Sequence, residues 1–251
     1  MPAYKKQTIV DYTTVDAQQA SPAQKQLLEA YEGRGFFNES VVKTLEAYLA
    51  EQLANGSVDI DADLALLKLY LVYPATANVE HITSVLVKAV ATLPSAFFSG
   101  VSSIVPESFR EVSGNEKRLL IPSSQLAHVF RNDNVKQILS AGFLLQSARF
   151  EDFWKVDLAF ATKVAGFTEA VRAYILEAIS KSHSVVSTAV LKTVLNVSDK
   201  DVQDIVAAEQ WTLEKDLVTV TPNEDNQMRP KKVQETIELD DVLKVVHTLS
   251  R

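Results

Sequence analysis

The amino-acid sequence predicts a mainly α-helical chain that ends in a small mixed α and β region and one further helix. Apolar residues recur at three- and four-residue spacing through most of residues 36–182, which is the spacing of one helix face. Proline or glycine interrupts this spacing at intervals, as expected where one helix ends and the next begins. Between Thr188 and Val220 the pattern changes to two short helices and a β-branched run, which predicts the mixed region.

Length and composition limit the possible classes of protein. The chain has 251 residues, of which 47% are hydrophobic, so it is long enough for two modest domains with real cores. Its formal net charge of -7 disfavours non-specific attraction to nucleic acid or to anionic membranes. The lack of cysteine excludes disulfides, thiolate catalysis and Cys-ligated zinc. The amino terminus lacks a secretory signal and no segment reaches the length of a membrane span, so we expect a cytoplasmic protein.

The first 35 residues contain few large apolar side chains, and we interpret residues 1–35 as a flexible amino-terminal arm. A short helix is predicted around Ala23 to Tyr31, behind Ser21 and a proline. Gly33-Arg34-Gly35 then interrupts the pattern, and no strand or Lys-Ser/Thr pair accompanies these glycines as a phosphate loop requires. We therefore expect a hinge there.

Residues 36–165 predict a helical-repeat domain of HEAT or TPR type. An amphipathic helix begins near Asn38 and ends at Asn55-Gly56, and the next segment, ADLALLKLYLVYP, is apolar around most of its circumference. A helix of the second kind belongs in the middle of a bundle. Two more helices end at Pro94 and Pro106, and consecutive short helices of this kind are typical of helical repeats, although no fixed sequence period is visible.

An exposed insertion is predicted at about residues 99–125, because the part from Pro106 to Pro122 has mixed charge and no sustained apolar face. Helices resume from Val135, and a second one is predicted from Phe150 to Gly166. Gly142 lies inside the first of them, where the lack of a side chain permits a neighbouring helix to approach closely.

Residues 166–251 predict a small α+β domain followed by a carboxy-terminal helix. After a helix over residues 167–182, two short helices meet at a tight turn near Asn196, with Ser198 as the cap of the second. The run from Leu217 to Val220 predicts one strand, and the segment Glu235 to Leu239 predicts another. Helix, turn, helix, strand, loop, strand is the order of a winged helix.

The second helix of that pair decides whether a winged helix binds DNA, and here its outward face is acidic. A module that holds a duplex must neutralise phosphates, so we expect no direct DNA binding and interpret this region as a protein-binding module. The outward residues are Asp199, Lys200, Asp201, Gln203, Asp204 and Glu209.

Chemical motifs are lacking, which favours a non-catalytic protein without cofactor or metal. Asp59, Asp61 and Asp63 resemble the opening of a calcium loop, but the glycine and the final glutamate of that loop are missing, so we expect helix capping by Asp61 instead. The four histidines are scattered singly, and no nucleophile elbow, P-loop or zinc-binding helix is present.

Two segments near the carboxyl end are candidates for binding. The stripe Val242, Leu243, Val246 and Leu249 either packs on its own domain or enters a bundle with other chains. The compact basic run contains Arg229, Lys231 and Lys232 and could contact RNA, with a solvated loop as the more ordinary interpretation.

Four segments carry a resemblance to a known family: ADLALLKLYLVYP, VKQILSAGFLLQSARFEDFW, GFTEAVRAYILEAI and RPKKVQETIELDDVLKVV. In this order they resemble the PCI-like small subunits of the proteasome lid, the signalosome and eukaryotic translation initiation factor 3, and are most similar to the subunit k branch. The resemblance begins at about Phe36. It does not extend to the amino-terminal arm or to the insertion.

The resemblance implies a non-catalytic cytoplasmic subunit that docks chiefly to subunit l of the initiation factor. Through that complex it would support assembly on the small ribosomal subunit, which it would contact indirectly. The alternatives are a small subunit of the proteasome lid or the signalosome, and an accessory RNA-binding module. The family's contact surfaces correspond to the winged helix and the terminal helix.

Overall fold

The computed structural model describes residues 3–15, 20–33, 35, 37–104, 132–227 and 239–249. Within these ranges the chain is mainly helical and has a small sheet, as predicted. The helices are α1 (Pro22–Glu32), α2 (Glu39–Asn55), α3 (Ile60–Val72), α4 (Val79–Ala91), α5 (Phe97–Ile104), α6 (Asp133–Gln146), α7 (Phe150–Phe153), α8 (Phe167–Ser182), α9 (Thr188–Leu195), α10 (Asp199–Ala208) and α11 (Leu239–Leu249). The strands are β1 (Thr8–Ile9), β2 (Ser57–Val58), β3 (Val185–Ser187), β4 (Thr212–Glu214) and β5 (Leu217–Thr219).

Local sequence accounts for where the helices begin. Ser21 and Gln24 form a reciprocal capping box at α1, and Asn78 caps α4 by accepting from Glu80 N. Asp59 caps α3 by accepting from Ala62 N. The expectation that Asp61 caps this helix was therefore wrong, because Asp61 lies inside the first turn, where an acid can only complement the helix dipole.

Helix α4 is the centre of the molecule. It packs against α5, α6 and α8, and its residues Val85, Leu86 and Ala89 are fully buried. The apolar segment of α3 is also buried on most sides, as its sequence predicts, and packs against α2 and α5. The buried side chains form one continuous core that extends from Tyr12 to Val220, so the helical part and the part with the sheet share a single interior.

The three-stranded sheet has the order β3-β5-β4, with both pairs antiparallel. Val218 pairs with Val186 on one side and with Leu213 on the other, and residues paired in this way project to the same face. Val218 and Val186 are buried, so this face covers the core. The strand predicted from Leu217 is confirmed, but its neighbours are β3 and β4, which the sequence did not predict. Of the second predicted strand, residues 235–238 lie outside the described residues and Leu239 begins α11.

Three predicted boundaries differ from the structure. Part of the predicted amino-terminal arm packs on the core, since Tyr12, Ala23 and Leu27 are buried. Residues 99–104 of the predicted insertion belong to α5, because the apolar spacing of Phe97, Phe98 and Val101 buries that helix; residues 105–125 lie outside the described residues. The helix predicted from Phe150 to Gly166 is instead α7, a break and a 3-10 turn over Ala159–Lys163.

Candidate interaction surfaces

Helix α11 exposes a continuous apolar stripe. None of its residues is buried, and Val246 and Leu249 retain 55% and 81% of their accessible surface. Residues 239, 242, 243, 246 and 249 fall on one side at 100° per residue, and the opposite side carries Asp240, Asp241, Lys244 and His247. An isolated helix of 11 residues has little stability of its own in water, so a face of this kind is typical of a helix that docks on something else.

The exposure of the terminal stripe distinguishes its two interpretations. The sequence left open whether the stripe packs on its own domain or on another chain. In the structure Val242, Leu243, Val246 and Leu249 are all among the exposed hydrophobic residues, so they do not pack on the described part of their own chain. Their role in binding a partner stays a prediction.

The outward face of α10 is acidic, as predicted. Val202, Ile205 and Val206 are buried, while Asp199, Asp201 and Asp204 are exposed. Ser198 and Asp201 form the capping box at the start of the helix, and the hydrogen bonds from Ser198 lower the pKa of Asp201. Asp201 is therefore ionised throughout the neutral pH range, and the exposed face of α10 is negatively charged.

The basic run Arg229, Lys231 and Lys232 lies outside the described residues. The hypothesis that it contacts RNA stays a prediction.

A shallow groove of about 790 Å³ lies beside the first helices. Its lining includes Leu64, Ala65, Gly100, Tyr31 and Phe37. The ammonium of Lys68 lies 5.0 Å from the centroid of the Phe37 ring, a cation–π contact. The lining is mostly apolar, which suits an apolar side chain from a partner better than it suits acid–base chemistry.

A buried polar cluster, which we did not predict from the sequence, connects α2, α3 and α4. Lys88 Nζ lies 2.7 Å from Asp63 Oδ2, and each side chain keeps only 1% of its exposure. Gln52 joins the pair: its Oε1 accepts from Lys88 Nζ, and its Nε2 donates to Asp63 Oδ1 at 3.2 Å. Burial raises the pKa of Asp63 to about 6, although Lys88 opposes this effect, and burial likewise lowers the pKa of Lys88.

Asp59 extends this cluster toward the amino terminus. The backbone N–H of Asp59 donates to Gln52 Oε1 at 2.8 Å, and its carboxylate accepts from Tyr48 Oη at 3.0 Å and from Tyr12 N at 2.8 Å. Burial raises the pKa of Asp59, against the hydrogen bonds that lower it. The three aspartates that resemble a calcium loop are thus divided between a helix cap, an exposed first-turn position and a buried ion pair.

Histidine 81 has neighbours that the sequence did not reveal. Its Nδ1 lies 3.0 Å from Tyr70 Oη and 3.4 Å from Glu46 Oε1, and Tyr70 Oη donates to the same carboxylate at 2.6 Å. His81 is therefore isolated from the other histidines along the sequence but lies beside an acid in the fold. The contact connects α2, α3 and α4 at the surface, and His128 lies outside the described residues.

Two features are missing from the described residues, a metal-binding cluster and a membrane-spanning helix. In those ranges, no group of three or more His, Cys, Asp or Glu side chains is arranged to hold a metal ion. Among the same residues, no helix combines the length and the apolar character needed to cross a bilayer.

Comparison with known proteins identifies relatives over most of the chain. The model of the CSN8/PSMD8/EIF3K family matches residues 76–232. A Neurospora crassa protein named eukaryotic translation initiation factor 3 subunit K is 29% identical over 218 residues, which cover 84% of this chain and 87% of that protein. A Drosophila erecta protein of the same name is 26% identical over 210 residues, which cover 82% and 86% of the two chains.

Proposed function

The chain belongs to the CSN8/PSMD8/EIF3K family, and on this premise we propose that it is a non-catalytic interaction subunit of eukaryotic translation initiation factor 3. The names of its relatives in a fungus and a fly support the initiation factor over the other assemblies that the family name covers. It acts in the cytoplasm, docks chiefly to subunit l and supports assembly of the initiation complex on the small ribosomal subunit, which it contacts indirectly.

The observation that carries this proposal is the exposed apolar stripe of α11. Leaving five large apolar side chains of one short helix in water is unfavourable by roughly 25 cal/mol for each Å² of apolar surface, and docking against a partner recovers that free energy. The width of the stripe and the spacing of its residues are those found on a helix that packs into a helix bundle. Its aliphatic residues are those that pack tightly at such interfaces.

The proposed division of the chain into three parts follows the order of its helices and strands. Residues 166–251 are a winged-helix, PCI-like domain with a terminal helix: α9 and α10 form the helix pair, and the hairpin of β4 and β5 with β3 supplies a small sheet beside it. Residues 36–165 are a HEAT-like repeat, which the packing of α2 on α3, α3 on α5 and α4 on α6 supports. Residues 1–35 are an amino-terminal arm, whose helix α1 packs on α2.

The acidic face of α10 contributes selectivity rather than the bulk of the affinity. Asp199, Asp201 and Asp204 repel phosphates and attract a partner surface with lysine or arginine side chains. Complementary charges at the rim of an interface mainly speed association and exclude wrong partners. The face thereby directs the subunit to proteins and away from nucleic acid.

The nearest alternative keeps this architecture and changes the assembly to the proteasome lid or the signalosome. Purification of the tagged full-length chain at native abundance, followed by peptide identification, separates the three. Subunits of the initiation factor, with subunit l in stoichiometric amount, are the expected companions. Recovery of lid or signalosome subunits in their place, or of the chain alone, would refute the proposal.

A further inference from the structure

The amino-terminal segment, residues 3–12, runs across the surface from α10 and α8 to the start of α3, and several of its polar contacts are exposed. Ala3 N donates to Glu209 Oε1 at 2.7 Å, Lys6 Nζ lies 2.6 Å from Glu177 Oε2, and Gln7 Nε2 donates to Ala165 O. The contacts of Lys6 and Gln7 are exposed to solvent. Exposed pairs of this kind contribute little to stability, so these contacts alone do not hold the segment.

One end of this segment is anchored in the interior. Tyr12 keeps 4% of its exposure, and its backbone N–H donates to the buried Asp59 carboxylate. Val10 N donates to Val58 O at 2.8 Å, beside the short parallel pairing of β1 with β2. Tyr12 thus covers the carboxylate of Asp59, and lifting the segment would admit water to it.

The interior that Tyr12 covers holds two carboxylates and one ammonium. Asp59, Asp63 and Lys88 each retain 1% of their exposure. The groups that face the carboxylates from the packed elements are Tyr12 and Asp11 of the segment, Tyr48 and Gln52 of α2 and Lys88 of α4. Lys88 is the sole cation of this set. If both carboxylates are ionised, one negative charge is left without a counter-charge away from water, which is unfavourable.

We propose that residues 3–12 form a proton-linked latch, which closes over Asp59 with one proton retained in the cluster of Asp59, Asp63 and Lys88 and opens with release of that proton to solvent. In the closed state the retained proton neutralises the excess carboxylate. In the open state water reaches Asp59 and solvates its charge, so the proton leaves. Closing takes up one proton and opening returns it.

The direction of the pH dependence follows from this exchange. The closed state binds more protons, so the ratio of open to closed latch rises with pH, by at most tenfold for each pH unit. The exchange takes place above the ordinary pKa of an aspartate, 3.8, because burial raises the pKa of both Asp59 and Asp63 in the closed state. Above about pH 7 both states are deprotonated and the ratio becomes constant.

Hydrogen exchange of two backbone amides in the full-length chain measures the latch directly. The amides are those of Val10 and Tyr12, which donate to Val58 and Asp59. The measured exchange rates are corrected for the intrinsic rate of each amide. We expect the resulting ratio of open to closed states at Val10 and Tyr12 to rise at least tenfold from pH 4.5 to 6.5. The amide of Ala170 in α8, which donates to Gly166 O, should show no such change. A constant ratio for Val10 and Tyr12 would overturn the proposal.

Two variants identify the carboxylate responsible. Asp63→Asn leaves one carboxylate for one ammonium, so the pH dependence at Val10 and Tyr12 should disappear. Asp61→Asn removes an exposed carboxylate from the same helix and should keep the wild-type slope. A wild-type slope in Asp63→Asn would refute the assignment to this cluster. If Asp63→Asn does not fold, the wild-type profile still decides whether the latch is linked to protons.

Discussion

Lys88 Nζ lies 2.7 Å from Asp63 Oδ2 in the middle of the helical core, and both side chains are almost completely removed from water. This ion pair joins α3 to α4, and the sequence of neither helix reveals it by itself. A buried pair of this kind is sensitive to the loss of one partner, because the other charge is then stranded in a medium that solvates it poorly.

Lys88→Met should unfold the protein more easily at pH 7. The change removes the ammonium and leaves Asp63 and Asp59 without a counter-charge, which costs about 3–5 kcal/mol. Urea denaturation measures the free energy of unfolding. Lys136→Met is the matched control, since Lys136 is exposed and its ion pair among the described residues is with the exposed Asp133, and it should change stability by less than about 1 kcal/mol. Equal effects of the two variants would contradict the assignment of a buried pair.

The stability of the wild-type protein relative to Asp63→Asn should rise as the pH falls from 7 to 4. The folded state raises the pKa of Asp63 from 3.8 to about 6, so it binds a proton more tightly than the unfolded chain does. This contribution is fully present below pH 3.8 and is lost as the pH rises through 6. A shift of this size corresponds to roughly 3 kcal/mol across the window. Urea denaturation of both proteins at several pH values measures it, and a constant difference would contradict the shift.

Gly142→Ala should be strongly destabilising. Gly142 lies in α6, and a Cβ placed there would overlap the ring of Phe98 from α5. Relief of the overlap must move a buried ring in a close-packed core, which costs about 1–3 kcal/mol or more. Gly100→Ala is the control, because its Cβ would lie 3.4 Å from a methyl of Leu64, which can adjust. Thermal unfolding of both variants tests the difference, and a stable Gly142→Ala would show that α5 and α6 are less tightly packed.

Arg172→Met should loosen the junction that α8 forms with the end of α9 and with Trp154. The guanidinium donates to Leu195 O and Asn196 O at the end of α9, and lies 5.7 Å from the ring centroid of Trp154. Loss of these contacts should cost about 1–3 kcal/mol. Arg149→Met removes only exposed contacts with Asp152 and should cost less than about 1 kcal/mol. The free energy of unfolding in urea distinguishes them, and a silent Arg172→Met would mean that direct packing alone holds the junction.

Much of the helical architecture is predictable because it depends on local spacing. The apolar faces of α2, α3 and α4, and the close approach at Gly142, follow from periodicity and from the lack of a side chain. The pairing of β3 and β4 with β5 is not predictable, since strands of three residues are too short to show alternation.

The buried cluster was missed for a related reason. Asp63 and Lys88 are charged residues within largely apolar helices, which was a usable signal, but their pairing depends on how α3 and α4 are placed in the fold. The burial of Tyr12 likewise depends on Asp59, which lies 47 positions later in the chain. Periodicity within one segment carries no information about such contacts.

The measurement that tests the account most directly is co-purification of subunit l with the Val246→Asp variant of the full-length chain. Val246 is 55% exposed in the isolated chain, so the variant should fold with wild-type stability, while its charge in the centre of the stripe should reduce recovery of subunit l at least tenfold. Lys244→Glu on the opposite side of α11 should leave recovery unchanged. Wild-type recovery with Val246→Asp would remove the terminal helix from the interface and contradict the account.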